Sequence, residues 1–115
     1  MDKNSRLVKL IYECRDEIDD IRSSGDEYYF VFRWKFFSLK AAPSLKMYIY
    51  PKWNGSLGGL VELLDSGTFT DETPVVAVDW MELGDAQRKE LAALYSWIQI
   101  RHSGMDTFFD DLGIV

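Results

Sequence analysis

One cysteine, one histidine and three prolines are all that 115 residues supply of the side chains that staple, ligate or kink a chain. The lone Cys14 excludes an intramolecular disulfide, and with His102 as the single imidazole a zinc site built on cysteine and histidine is excluded as well. No apolar run approaches the ~20 residues of a membrane span, so no membrane association is expected. The polar opening Met1-Asp2-Lys3 carries no apolar signal segment, and the expected compartment is the cytoplasm. Bases are also in deficit, 13 against 19 acids, for a net charge of −6. That balance disfavours nonspecific attraction to nucleic acid or anionic lipid, where each phosphate contact needs a cation, and favours a basic partner.

What the chain has in excess is aromatic residues, at 15%, and they are not spread evenly. Residues 28–53 hold ten of the seventeen rings and five lysines or arginines without one acid, whereas residues 54–85 hold seven carboxylates and no base. A folded protein with this order would present one-sided fields, a basic aromatic sheet surface and separate acidic surfaces. Length and apolar content fit a single globular domain over residues 1–115, with no linker, repeat or low-complexity tract.

The hydrophobic pattern predicts an α+β fold. Leu7, Ile11, Cys14, Ile18 and Ile21 recur at helical spacing, which predicts a first helix from Asn4 or Ser5 to about Arg22, ended by Ser23-Ser24-Gly25. Residues 28–39 then alternate with period two and predict one long strand containing a bend or bulge. After the turn at Ala41-Ala42-Pro43-Ser44, residues 45–50 predict a second strand stopped by Pro51. Asn54 to Gly59 reads as a loop, residues 60–64 as a short strand, and Ser66 to Pro74 as an acidic loop. The β-branched run Val75 to Trp80 predicts a buried strand. A long final helix is predicted after Gly84 or Asp85, with Leu91, Leu94, Tyr95 and Ile98 as its stripe and Gly104 as its end. Residues 105–115 form a short, loosely held tail, where Asp106 could cap a last turn that Phe108, Phe109 and Leu112 anchor. The expected architecture is an antiparallel meander of three to four strands, covered on one face by the N-terminal and C-terminal helices.

Two surfaces stand out. On the predicted first helix, Glu13, Asp16, Glu17, Asp19 and Asp20 crowd the C-terminal half, where the macrodipole and like-charge neighbours three or four residues apart both work against them. A place where local consistency fails is a candidate surface for a basic partner, and Glu13, Asp16, Glu17 and Asp20, with Asp71 and Glu72 of the acidic loop, are its candidate contacts. The second surface is a sheet face. If Tyr28, Phe30, Phe32, Trp34 and Phe36 lie beneath the helices, then Tyr29, Arg33, Lys35, Lys46, Tyr48 and Tyr50 share the opposite face. Those cations and phenols could hold an anionic ligand or stack single-stranded bases, unless the face is simply solvated.

Catalytic and metal chemistry find little support. No nucleophile is placed beside His102 by any motif, Cys14 falls on an apolar helix face, and the loop at Asn54 to Gly59 lacks the lysine and hydroxyl of a phosphate-binding loop. Asp65, Asp71, Glu72, Asp79 and Glu82 do not have the spacing of a calcium loop. No catalytic residue, metal or cofactor is therefore expected. In size, acidity and want of a catalytic constellation the chain is similar to bacterial immunity and inhibitor proteins, which block a toxin's nucleic-acid-binding cleft. The similarity is one of properties and rests on no family motif. The expected function is accordingly a small acidic protein-binding module that neutralises a basic partner, for example a toxin nuclease, by occlusion. The alternative is a ligand- or nucleic-acid-binding domain using the sheet face.

Overall fold

The computed structural model describes residues 2–67 and 75–114. The fold is α+β, and its centre is a five-stranded antiparallel sheet in simple meander order: β1 (Ile18–Ser24), β2 (Glu27–Phe32), β3 (Lys35–Lys40), β4 (Lys46–Ile49) and β5 (Val76–Asp79). The helices are α1 (Lys3–Glu13), α2 (Leu57–Asp65), α3 (Asp85–Ser103) and α4 (Met105–Asp111), with 3-10 turns over Arg15–Glu17 and Trp80–Glu82. As expected, α1 and α3 cover one face. Val8 and Ile11 of α1 and Leu91, Leu94 and Ile98 of α3 close over Phe30, Phe32, Phe37, Leu39, Met47 and Val78.

The first helix is shorter than its spacing predicts. Asp2 caps it, accepting from the Ser5 amide at 2.7 Å, and it ends at Glu13. Residues 18–24 are an edge strand instead. Ile18 pairs with Phe32 and Ile21 with Phe30, and an irregularity between them inserts one extra residue. That bulge puts two isoleucines three residues apart on one face of a strand, which mimics a helical step. Ending the helix early also relieves the like-charge crowding that an extension through Asp20 would impose.

The predicted long strand is two strands. A two-residue turn, Arg33-Trp34, joins β2 to β3, and both residues have positive φ, 49° and 66°. Such a turn matches the strand twist but ordinarily takes Asn-Gly, so the sequence gives no warning of it. It also inverts the alternation: Phe32 pairs with Lys35, Phe30 with Phe37 and Tyr28 with Leu39. Phe36 therefore lies on the face opposite Phe30, and Lys35 on the helix-covered side at its exposed end. The split, together with β1, raises the strand count from the expected three or four to five.

Much of the second face is covered as well. Residues 57–65 are helical, not a strand, because Ser56 caps them through the Gly59 amide at 3.0 Å and Leu57, Leu60, Val61 and Leu64 make an apolar stripe at helical spacing. This helix packs on Tyr29, Val31, Phe36, Tyr48 and Tyr50. Strand β5 is the short edge opposite β1, and of its residues only Val78 is buried. Gly84 caps α3, and Gly104, at φ 77°, ends it and begins α4 in place of Asp106. Phe108, Phe109, Leu112 and Ile114 are exposed and do not anchor the tail. Among the described residues no helix is long and apolar enough to cross a membrane.

Candidate functional site

The hairpin tip at Arg33-Trp34 is held by a contact that the sequence order conceals. Glu17, in the 3-10 turn before β1, accepts from Arg33 Nε at 3.0 Å and from its terminal nitrogen at 2.9 Å. Such two-pronged pairing fixes orientation as well as distance. The guanidinium beside Glu17 holds that carboxyl below its ordinary value, and the same bond raises Arg33. Arg33 also lies over the Phe32 ring, 5.1 Å from its centre. Thus Arg33 is engaged within the fold rather than free on a sheet face.

Its neighbour is the opposite case. The Trp34 side chain is 89% exposed, although it sits in a backbone conformation that tryptophan seldom adopts. It borders an open groove of about 900 Å³ at the N-terminal end of α2, shared with Asp16, Asp19, Asp20, Phe36 and Leu57. Asp20 makes only a loose contact with Arg22, 3.4 Å from its Nε, and Asp16 and Asp19 make no ion pair among the described residues. Arg101 is on the same groove, stacked over Trp97 at 5.0 Å. The wall is therefore acidic, with an apolar floor and a projecting indole at one end.

The expected acidic contacts are partly brought together here. Asp16 and Asp20 line the groove and Glu17 braces it, whereas Glu13 remains on α1, paired with Lys9 at 3.8 Å. Asp71 and Glu72 lie outside the described residues. Trp34 and Asp19 complete the surface and were not among the expected contacts. No sequence signal marks Trp34, because the turn that exposes it carries neither glycine nor asparagine.

The sheet-face set is divided. Lys35 is on the other face, Arg33 is at the tip, and Lys46 sits 3.7 Å from Asp79 across the β4–β5 pair. The three tyrosines do converge, at the other end of α2. Tyr29 and Tyr50 are 3% and 4% exposed, with rings 6.5 Å apart. The Tyr50 hydroxyl is 2.9 Å from that of Ser38, which is wholly buried and donates to Glu27. Burial, reinforced by the nearby Glu27 charge, pushes the Tyr29 phenol far above its ordinary value; burial does the same to Tyr50, outweighing the Ser38 bond.

His102, for which the sequence offers no nucleophile, has Ser23 Oγ 3.0 Å from its Nε2 and the Tyr28 ring edge-on at 5.6 Å. No carboxylate hydrogen-bonds its ring among the described residues, so the orienting third member of a catalytic triad is not part of this arrangement. The pair fastens the end of α3 to β1. Among the described residues no cluster of His, Cys, Asp and Glu is arranged to hold a metal ion. Comparison of the chain with known protein families, with curated proteins and with solved structures found no match.

Proposed function

We propose that the chain is a small protein-binding module that docks a basic protein at the hairpin tip and the acidic groove beside it. The carrying observation is Trp34: a large indole held almost fully in solvent, on a turn whose geometry disfavours it, next to Asp16, Asp19 and Asp20. Exposed tryptophans at the centre of an interface carry a large share of binding energy, and a surrounding charge of one sign directs the approach. The groove counts four carboxylates against Arg33 and Arg101, so its complement is cationic. In this reading the carboxylates speed encounter and fix register, while Trp34 enters an apolar recess on the partner and slows release.

The shape is compatible with action by occlusion. A hairpin tip projecting beside an acidic groove can cover a cationic cleft of the kind that binds nucleic acid, which is how an immunity or inhibitor protein of a toxin nuclease would act. The chain is proposed to act by binding and not by catalysis. The test is purification from source cells at low salt, with mass spectrometry of the co-eluting protein and the ultraviolet absorbance ratio of the product. A stoichiometric basic protein, lost when Trp34→Ala is used as bait, is the expected result. Nucleic acid recovered without a protein, or a partner retained equally by Trp34→Ala, contradicts the reading.

A further inference from the structure

The three tyrosines that the sequence groups with cations are surrounded instead by carboxylates. At the C-terminal end of α2 a cleft of about 540 Å³ is lined, among the described residues, by Tyr29, Tyr48 and Tyr50 together with Glu27, Asp65 and one base, Lys40. The volume lies within the range of small-molecule sites. Behind this lining the buried Ser38 hydroxyl links Tyr50 to the half-buried Glu27. Burying those polar groups is costly unless every member is paired, and among the described residues no buried polar side-chain atom lacks a partner. Apolar residues would fill the same strands at less cost. A satisfied polar network here has one evident use, to hold the Glu27 carboxylate and the phenols in fixed positions.

We propose that this cleft binds a small organic ammonium ion. Among the described residues Glu27 and Asp65 outnumber Lys40, and Lys40 is the cross-strand neighbour of Glu27, which leaves their part of the lining net negative. Asp65 is itself positioned by the Ser24 hydroxyl at 2.6 Å. The C-terminal end of α2 reaches the cleft through Leu64 and Asp65, and a helix C-terminus carries partial negative charge. Aromatic faces attract an ammonium through their quadrupoles, and Tyr48, only partly buried, offers its ring at the rim. Leu64 and Val75 provide apolar surface for the body of the ligand. The site stands apart from the docking groove, which opens at the other end of α2, and the two proposals are independent.

Protein-observed NMR titration with choline and phenethylammonium, each against its uncharged counterpart, dimethylbutanol or phenylethanol, tests it. The expected result is saturable shifts at Tyr29, Tyr48 and Tyr50 with at least one cation, and binding of the matching neutral compound weaker by about tenfold or more. Tyr48→Leu and Asp65→Asn, both at the rim, are expected to weaken the cation by about three- to tenfold, and Trp34→Ala to leave it unchanged. Glu27→Gln is expected to do the same as the rim variants where its spectrum remains that of the folded protein. Equal binding of charged and neutral probes, no effect of either rim variant, saturation by acetate or phosphate instead, or no saturation by either cation at millimolar concentration would overturn the proposal.

Discussion

At Trp34 the local cost and the proposed role are separable. A left-handed conformation costs an L-residue roughly 1–2 kcal/mol and glycine almost nothing, and the exposed indole contributes little burial to set against that. Trp34→Gly is therefore expected to stabilise the fold by about 1 kcal/mol in urea denaturation while weakening partner binding by about 2 kcal/mol or more. A loss of stability would mean that the tryptophan serves the hairpin, and retained binding would mean that it does not serve the partner. The buried phenols give a second residue-scale test. Their folded pKa values are raised above the ordinary 10.0, so the stability they contribute is full below pH 10 and is lost as pH rises beyond it and the unfolded chain ionises. Phenolate absorbance from Tyr29 and Tyr50 should consequently appear only with alkaline unfolding. Tyr50→Phe should remove part of that late absorbance, and early, reversible titration of all six tyrosines in the folded protein would contradict the described burial.

The elements differ in how far the sequence announces them. Strand β4 and helix α3 were legible because each carries one uninterrupted period and clear punctuation, Pro51 after the first and Gly104 after the second. Strand β1 was not, since the bulge between Ile18 and Ile21 reproduces a helical interval and only pairing with β2 reveals the strand. The Arg33-Trp34 turn was hidden for want of glycine or asparagine, and reading one alternation across it assigned Phe36 and Lys35 to the wrong faces. Helix α2 is concealed because Gly58-Gly59 interrupts its pattern and the apolar run 60–64 leaves out Ser56 and Leu57. That helix is what turns a wet sheet face into a second core. Leu60→Ala, at its fully buried centre, is expected to cost about 2–5 kcal/mol, measured by chemical denaturation. A cost under about 1 kcal/mol, the size of an exposed substitution, would show that α2 does not seal this face.

For the molecule as a whole, the segregation of charge along the chain survives folding only in part. The expected basic sheet surface is dispersed, with Arg33 bound to Glu17, Lys46 beside Asp79 and Lys35 on the opposite face. The acidic surface is instead drawn together, because β1 sets Asp19 and Asp20 at a sheet edge next to Asp16 and the hairpin tip. Charged residues on an edge strand also discourage pairing with a further strand, so the partner is expected to meet side chains rather than add to the sheet. The account is tested most directly by the salt dependence of affinity for the recovered partner, measured by calorimetry on the unaltered chain and on a chain carrying Asp16→Lys and Asp19→Lys. A basic partner whose affinity falls steeply with added salt, and falls about tenfold or more with a flattened salt response on charge reversal, is the predicted result. Affinity indifferent to salt and to both substitutions would contradict it.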